Sequence, residues 1–308
     1  MTISAQTFDE HKRVLWGMCY RMTGSATDAD DIVQDTFVKA LERPPTDMEA
    51  PIRPWLVRVA MNLSRDHLRR RRRREYVGPW LPSPVQTDGD DQDSLISTED
   101  SPGVRYDLME SVTLAFLLAL EALTPAQRAV LLLRDVFDYS TLETAESLDM
   151  SETNIKVTLH RARRIMNSYE KNRVTNFSRR VEEVREILQR FLSRLASGDV
   201  QGLKDMLAAD VVLVTDGGGE INALADPVYG SDKVLRLISK LYEANRDVTS
   251  TSLRNVNGEP AILVERGQMR PGHASFFTMH CELDDNSQMK RLHFVVAPSK
   301  LTALIRAS

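Results

Sequence analysis

The sequence has few aromatic residues, only two cysteines and no long apolar run. Aromatic residues make up 6% of the 308 residues, and no stretch of about eighteen apolar residues occurs that could span a membrane. The N-terminus lacks a basic segment followed by an apolar core, so no secretory signal is expected. Cys19 and Cys281 lie far apart in apolar segments, which predicts buried, reduced thiols. These absences favour a cytoplasmic protein without membrane contact.

A phosphate-binding loop is also absent, although three consecutive glycines suggest one. Gly217–Gly219 follow Asp216 and an apolar run, but a P-loop requires a lysine and a Ser or Thr directly after the glycines. Glu220 stands there instead, and its carboxylate would repel a phosphate. We therefore interpret the glycines as a tight turn or a close approach between segments. The sequence predicts no cofactor and no bound metal.

Charge is unevenly distributed along the chain, although the net charge is only −4. Six consecutive arginines occupy positions 69–74, and an acidic stretch covers positions 88–100. A small net charge alone argues against a nucleic-acid-binding protein, but separated patches of opposite sign leave that function open.

The helical and strand-like patterns divide the chain into four parts. Residues 7–75 and 107–170 show helical periodicity, and the Pro- and Gly-rich residues 76–106 between them are typical of a linker. Residues 178–303 show helices followed by strands. We expect two all-α domains followed by an α+β domain.

Capping motifs and turn signals place several elements within these parts. Thr27–Asp30, Thr124–Gln127 and Ser140–Glu143 are typical of helix starts. Asn257-Gly258 indicates a hairpin, and Ser231–Ala244 a helix among the strands. The sheet is expected to be curled and antiparallel. Its predicted strands are Val211–Val214, Ala261–Glu265, Ser275–Leu283 and Arg291–Val296.

The segment Ser140–Met166 has the pattern of a helix-turn-helix. Apolar residues fall where two short crossed helices would bury them, and the second helix is polar at its start and basic at its end. This arrangement suits base contacts by the first turn and phosphate contacts by the arginines. A helical hairpin with a solvated basic face remains the alternative. We expect Arg163 to point outward together with the candidate DNA-binding residues Ser151, Glu152, Thr153, Asn154, Lys156, Val157, His160, Arg161 and Arg164.

A second candidate nucleic-acid face lies on the helix before the arginine run. Arg58, Asn62, Arg65 and Arg69 are spaced along one face, beside Asp66. The adjacent apolar face carries Trp55, Val59 and Leu63. The arginine run adds a sequence-independent attraction to phosphates, although a solvated basic helix end would look the same.

A third face is acidic. Asp31, Gln34 and Asp35, which lie beside Asp30, exceed what a helix start needs for its dipole, and they would suit a basic protein partner.

These three features in this order resemble one family. The stretches YRMTGSATDADDIVQDTFVKALE, RPWLVRVAMNLSRDHLRRRRR and LTPAQRAVLLLRDVFDYSTLETAESLDMSETNIKVTLHRARR resemble regions 2 and 4 of bacterial sigma factors of the extracytoplasmic-function group. The resemblance implies a non-enzymatic subunit that binds the clamp and flap of core RNA polymerase and recognises promoter DNA. The acidic face would contact the clamp, the Asn62 face the downstream promoter element, and the second helix of the helix-turn-helix the upstream element.

The C-terminal part resembles a SnoaL-like cone, which a SigJ-type subgroup of these sigma factors carries. The subgroup's motifs are matched partially by WLPSP (80–84), DGGGE (216–220) and APSKL (297–301). The resemblance implies that this domain acts on the sigma regions. The candidate regulatory residues are Trp80, Leu81, Pro82, Asp216, Gly217, Gly218 and Gly219.

Two other functions remain open for the C-terminal part. A cone of this kind can hold a small hydrophobic ligand, so the chain could be a ligand-sensing helix-turn-helix regulator that does not bind polymerase. Residual enzymatic activity is the other alternative. The polar groups available for it are Asp216, His273, His280 and His293.

Overall fold

The protein is described by a computed structural model that covers residues 5–45, 51–71, 76–87, 105–171, 177–244, 248–266, 272 and 274–305. The chain forms two compact units. The first contains residues 1–75 and 89–173, and the second contains residues 76–88 and 174–308. The two helical regions, which we expected as separate domains, therefore share one unit.

The first unit begins with three helices, α1 (Ala5–Thr23), α2 (Ala26–Glu42) and α3 (Ile52–Arg71). Gly24, with φ of +66°, ends α1, and the hydroxyl of Ser25 accepts a hydrogen bond from the Asp28 amide at 3.2 Å. The prediction of Thr27 as the cap of α2 is therefore wrong. The left-handed glycine allows α2 to start immediately, so Thr27 lies within its first turn.

The remaining helices of the first unit are α4 (Leu114–Leu120), α5 (Pro125–Asp135), α6 (Thr141–Leu148) and α7 (Glu152–Lys171). Capping boxes at Thr124 and Ser140 start α5 and α6, as the sequence predicts. Asp149 ends α6 in the left-handed conformation, with φ of 54°. Helices α6 and α7 are therefore joined by a tight turn, and they form the expected helix-turn-helix.

The second unit is a six-stranded sheet with helices. The helices are α8 (Phe177–Ser197), α9 (Val200–Asp205), α10 (Ser231–Ala244) and α11 (Thr302–Ile305). The strands are β1 (Leu207–Asp216), β2 (Val228–Tyr229), β3 (Val248–Val256), β4 (Glu259–Arg266), β5 (Phe276–Leu283) and β6 (Met289–Val295). Their order across the sheet is β2-β1-β6-β5-β4-β3. The predicted helix at Ser231–Ala244 and the hairpin at Asn257-Gly258 are confirmed.

One strand pair contradicts the expected antiparallel sheet. β6 lies between β1 and β5, and it pairs with β1 in parallel, while the other pairs are antiparallel. A parallel neighbour requires a long crossover, and the intervening helix and strands provide it.

The two faces of the sheet have different roles. Alternate residues such as Leu213, Met279 and Leu292 join side chains of α8 and α10 in the apolar core. Because neighbouring residues of a strand point to opposite faces, Asp216 and His293 lie on the other face. Residues 76–87, hereafter the tether, are bonded at the end of β1 and at the β3–β4 turn, so they span this second face.

Candidate functional site

The outer surface of α7 is polar and accessible. Its buried side is apolar and includes Ile155, Leu159 and Ala162, which orients the helix against the rest of the unit. Ser151 caps the helix by accepting a hydrogen bond from the Asn154 amide at 3.3 Å. All nine residues predicted to contact DNA on this helix are exposed: Ser151, Glu152, Thr153, Asn154, Lys156, Val157, His160, Arg161 and Arg164.

Arg163 departs from this pattern. Its guanidinium donates to both carboxylate oxygens of Asp135, at 2.9 and 2.6 Å, and Asp135 is buried on α5. The predicted outward orientation of Arg163 did not include this ion pair, which forms because a buried carboxylate requires a charged partner. Arg163 fixes α7 to α5, and its guanidinium is paired with Asp135 although the side chain is 40% exposed.

The two predicted faces of α3 meet at one cavity. Its volume is about 250 Å³. Apolar side chains from one predicted face and polar side chains from the other contribute to its wall. The lining residues are Lys39, Trp55, Arg58, Val59, Asn62, Leu63 and Asp66. The Trp55 indole in this wall can stack against a nucleic-acid base, and the Asn62 amide can form hydrogen bonds with it. The cations of Lys39 and Arg58 can attract the phosphates of the same strand.

Arg65 and Arg69 lie on the same helix but have different environments. Arg65 donates to Asn62 Oδ1 and to the carbonyl oxygen of Leu148, both at 3.1 Å, and burial lowers the pKa of Arg65. Arg69 is exposed and pairs with Asp66 at 2.9 Å. Arg72–Arg74, the rest of the arginine run, lie outside the described residues.

The outer face of α2 combines acidic and apolar side chains. Asp31, Gln34 and Asp35 are exposed, and so are Val38 (49%) and Leu41 (63%) one and two turns further along. Exposed aliphatic side chains beside carboxylates are typical of a protein-binding surface. Neither Val38 nor Leu41 was predicted to belong to this face.

Asp30 differs from its acidic neighbours. Its Oδ1 accepts a hydrogen bond from the Trp16 indole at 2.9 Å, so this carboxylate joins α2 to α1. Asp28, in the same turn, forms an ion pair with His67 at 3.0 Å. Burial would raise the pKa of Asp28, but His67, Ser25 and Arg71 together outweigh burial and lower it.

Asp216 is the centre of a hydrogen-bonded cluster at the end of β1. Its side chain is buried, and Oδ1 accepts from the Tyr76 hydroxyl at 2.6 Å and the Gly218 amide at 2.9 Å. Its Oδ2 accepts from the Leu81 amide and the Lys300 ammonium, each at 2.6 Å. A single buried carboxylate thus binds the tether, the glycine turn and the C-terminal segment.

Lys300 reinforces this cluster. Its ammonium also donates to the Leu81 carbonyl at 2.5 Å, and it lies 4.8 and 4.7 Å from the ring centres of Tyr76 and Trp80. The charge is therefore compensated by a carboxylate, a carbonyl and two aromatic faces. The predicted motif residues Trp80, Leu81 and Asp216 meet here, and Lys300 supplies the cation that sequence analysis did not single out.

The glycine turn is required by close packing. Gly218 and Gly219 have φ of +60° and +76°, which favour glycine. A Cβ on Gly217 would lie 2.7 Å from the Ile221 carbonyl oxygen, and one on Gly219 would lie 3.3 Å from Val77. The turn therefore admits the tether at short range, and it does not form a phosphate site.

Asn257 anchors the other end of the tether. Its Oδ1 accepts from the Val85 amide at 3.1 Å, and its own amide donates to the Val85 carbonyl at 2.8 Å. The Thr87 amide donates to Asn255, and the Thr87 hydroxyl accepts from the Gly258 amide, both at 2.9 Å. The hairpin that the sequence predicts thus has a second role, which only the fold reveals.

Two buried histidines lie opposite each other on the tether-bearing side of the sheet. His280 on β5 and His293 on β6 are directly paired, and their side chains are 4% and 2% exposed. Both nitrogens of His280 and Nδ1 of His293 have no hydrogen-bond partner among the described residues. Burial lowers the pKa of His280 to about 3 and that of His293 to about 4. His273 lies outside the described residues.

The described part of the chain shows neither a membrane-spanning helix nor a metal cluster. No helix in it combines the length and the apolar character that a membrane crossing requires. Within the same ranges, no three His, Cys, Asp or Glu side chains are grouped closely enough to bind a metal.

Comparison with known proteins identifies the helical regions and the whole architecture. Residues 7–74 match Sigma-70 region 2, and residues 113–166 match Sigma-70, region 4. The ECF RNA polymerase sigma factor SigJ of Mycobacterium tuberculosis is 32% identical over 244 residues, which cover 77% of this chain and 72% of that protein. Sigma factor SigI of the same organism is 27% identical over 301 residues, covering 96% and 93%.

A solved structure has the same architecture throughout. The crystal structure of Mycobacterium tuberculosis SigJ superimposes with a TM-score of 0.70 and 26% identity, covering 97% of this chain and 99% of that one. The match extends over the helical regions and the α+β part, in agreement with the fold class that the sequence predicts. The chain therefore belongs to the extracytoplasmic-function sigma factors of RNA polymerase, which direct transcription initiation, and within them to the SigJ type.

Proposed function

We propose that the C-terminal unit controls this sigma factor by holding the tether between its two promoter-reading regions. Core RNA polymerase and promoter DNA are the partners of the family. Residues 75–112 connect the two matched regions, and the tether (76–87) is part of this connection. The observation that supports the proposal is the Asp216 carboxylate, which binds the Leu81 amide within the connection itself.

Holding the tether limits how far the two regions can separate. Release of these residues would add up to roughly 40 Å of extended chain. Docked on the sheet, the same residues add no free length, because hydrogen bonds of Tyr76 and Thr87 fix both of their ends. The C-terminal unit would thus set the reach of region 4 relative to region 2.

The DNA contacts follow from the accessible faces. We assign the exposed face of α7 to the upstream promoter element, with Asn154 and Lys156 in reach of base edges and Arg161 and Arg164 near phosphates. We assign the cavity beside Asn62 to the downstream element, where an unstacked base would lie against Trp55.

The polymerase contact is assigned to the outer face of α2. Asp31 and Asp35 offer negative charge to a basic clamp surface, Gln34 offers a neutral hydrogen-bonding amide, and Val38 and Leu41 add exposed apolar area beside them. The flap would be contacted by region 4. Asp30 supports this face through Trp16.

The small hydrophobic ligand that a cone of this kind can hold stays a prediction. The interior between sheet and helices is filled by apolar side chains, among them Leu188, Phe191, Leu213, Ile238 and Phe294. This packing supports a scaffold role for the C-terminal unit.

Reconstituted transcription tests the proposal. A promoter is first selected from a randomised template library with the full chain and core polymerase. The double variant Trp80→Ser, Leu81→Ser is then compared with the unchanged chain. We expect at least a threefold change in transcript yield, because loss of the apolar anchors releases the tether.

Tyr229→Ser provides the matched control, since Tyr229 is a large side chain of the same unit and is 62% exposed. Equal yields from the anchor variant, the control and the unchanged chain would show that tether docking has no regulatory role.

A further inference from the structure

Two buried histidines lie between the anchors of the tether. His280 on β5 and His293 on β6 are directly opposite each other, and we call them the histidine pair. Asp216 binds the tether at the end of β1, and Asn257 binds it at the β3–β4 turn, on the far side of both strands. Residues 81–85 must therefore cross β6 and β5 to connect the two anchors.

The strand register places this crossing over the histidine pair. Asp216 is aligned with Val295, two residues beyond His293 towards one end of the strands. The β3–β4 turn lies towards the other end, since β4 runs from this turn past the level of the pair and reaches Leu263, the partner of Thr278. Thr278 in turn is aligned with Val295. The path between the anchors is therefore diagonal, and the histidine pair lies near its middle.

The tether and the histidine pair are both shielded from solvent. Leu81, Ser83 and Val85 are buried, and so are the two imidazoles. Helices α8 and α10 pack on the opposite face of the sheet, together with side chains such as Met279 and Leu292. These helices do not cover the imidazoles, so the tether is the segment whose position accounts for their burial.

The surface beneath the tether is polar, and its hydrogen-bonding groups are unsatisfied. Both nitrogens of His280, Nδ1 of His293 and the hydroxyl of Thr278 have no hydrogen-bond partner among the described residues. Docking therefore takes these groups out of contact with solvent without giving them protein partners, which costs free energy. The attachment of the tether is consequently weaker than apolar packing over the same area would make it.

Protonation of either imidazole opposes docking. Burial under the tether holds the pKa of both histidines well below the ordinary value of about 6.5. When the tether is released, the imidazoles face water and we expect their pKa to return towards that value. The released state thus binds more protons than the docked state. Docking is strongest above about pH 6.5 and weakens as the pH falls below it.

The charged groups near the pair modify this effect without reversing it. Glu282 Oε1 lies 3.8 Å from His293 Nδ1 and favours its protonation, whereas Arg291 lowers the pKa of His293 and a charged His293 lowers that of His280. Burial is the largest contribution for both imidazoles, so it sets the direction. On the other elements of this side, the nearest ionisable groups are Asp216 on β1, Arg254 on β3, Glu259 on β4, Tyr76 in the tether and Lys300 in the C-terminal segment.

We propose that the histidine pair couples tether docking to pH, so that a proton taken up by either imidazole releases the tether from a sheet that stays folded. This inference rests on the proposed function, in which the tether sets the reach of region 4. It adds the proton as a ligand that regulates docking.

Hydrogen exchange of the full chain at pH 7.5, 6.5 and 5.5 tests this coupling. The amides of Leu81, Val85 and Thr87 are hydrogen-bonded in the docked tether, so peptides covering residues 76–87 report docking. The same peptide, synthesised separately, gives the intrinsic exchange rate at each pH. We expect protection to fall between about tenfold and about a hundredfold from pH 7.5 to 5.5, since each imidazole contributes up to about tenfold. Peptides from α8 should remain more protected than the tether at every pH, which distinguishes release from unfolding.

Replacement of the histidines should remove the coupling. His280→Gln with His293→Gln keeps polar side chains but removes both titrating groups, and we expect tether protection to change less than about threefold over the same range. Circular dichroism establishes whether this variant is folded. If it is not, the two single variants decide, and each should show a smaller pH dependence than the unchanged chain.

His67→Gln is the matched control. His67 lies in the first unit, where it pairs with Asp28, so this variant should keep the full pH dependence of the tether. A pH dependence that persists undiminished in the histidine-pair variants would overturn the proposal. A tether that is protected at pH 7.5 but insensitive to pH would overturn this inference alone and leave its proposed regulatory role intact. A tether without protection at any pH would overturn both, so the two failures are distinguishable.

Discussion

At the scale of single residues, Asp216 carries the attachment of the tether. We expect Asp216→Asn to destabilise this attachment by about 3 kcal/mol, because it leaves the Lys300 ammonium without its buried carboxylate. Hydrogen exchange of peptides covering residues 76–87 measures the effect, and exchange should accelerate by about two orders of magnitude if it proceeds through local release of the tether.

The exposed pair Lys204–Asp232 offers a comparison for this substitution. It has a similar separation, 2.8 Å, but both side chains are largely in solvent. Asp232→Asn should therefore change exchange in the tether by less than twofold. Similar exchange rates in the two variants would contradict the assignment of Asp216 as the anchor.

Individual functional residues could be predicted from the sequence where a local sequence pattern indicates them. Three glycines and a preceding aspartate drew attention to Asp216, and the structure confirms that this turn accepts a close segment. Asn257 and Lys300 were not singled out as tether anchors, because their partners lie 172 and 219 positions away in the chain. Such pairings are a property of the folded sheet, and no local spacing encodes them.

At the scale of elements, we expect different residues of α7 to recognise bases and to attract phosphates. Arg161→Ala should weaken binding of region 4 to the selected promoter at all sequences and reduce the salt slope by about one. Asn154→Ala should instead alter base preference at one position and leave the slope unchanged. Fluorescence anisotropy across a salt series, with the polymerase complex and labelled promoter, distinguishes the two effects.

Asn167→Ala tests the same helix away from the proposed face. Asn167 is exposed near the C-terminal end of α7, beyond the residues assigned to DNA. An effect of Asn167→Ala as large as that of Arg161→Ala would argue against the proposed orientation of α7 on the duplex.

Elements with strong end signals were predicted well, and pairings between elements were not. The capping boxes at Thr124 and Ser140 fixed two helix starts, because the side chain and the backbone satisfy each other locally. The start of α2 was misplaced because Ser25 and Thr27 are equally suitable caps, and the choice depends on where Gly24 ends α1. The parallel contact of β1 and β6 depends on a strand that is synthesised last, and local patterns do not specify it.

At the scale of the whole molecule, the two units should respond differently to acid. The unfolded chain protonates His280 and His293 below about pH 6.5, whereas the folded second unit keeps His293 neutral until about pH 4 and His280 neutral until about pH 3. The unfolded state then binds more protons, so the free energy of unfolding falls as pH decreases from about 6.5 to 4. Each imidazole lowers the free energy of unfolding by up to about 1.4 kcal/mol per pH unit in this range.

Calorimetry at pH 7, 6 and 5 measures this loss of stability, because the midpoint temperature of unfolding of the second unit falls as the pH decreases. Burial raises the pKa of Glu282, which opposes the effect, but its side chain is 37% exposed and the opposition is weak. In the first unit, Asp28 has a lowered pKa, and its contribution is lost only at more acidic pH. His280→Gln with His293→Gln should flatten the pH dependence, and an unchanged slope would exclude the two imidazoles as its source.

The binding partners of the tether also determine when in the life of the molecule it can dock. The ribosome adds Leu81 135 positions before Asp216 and 219 positions before Lys300. At roughly 5–20 residues per second, Lys300 follows Leu81 by about 10–40 s. Region 2 precedes Leu81 and region 4 ends at residue 166, so both promoter-reading regions are synthesised before the sheet that holds the tether is complete. Every newly made molecule therefore starts with an undocked tether, which can dock only after both promoter-reading regions have been synthesised.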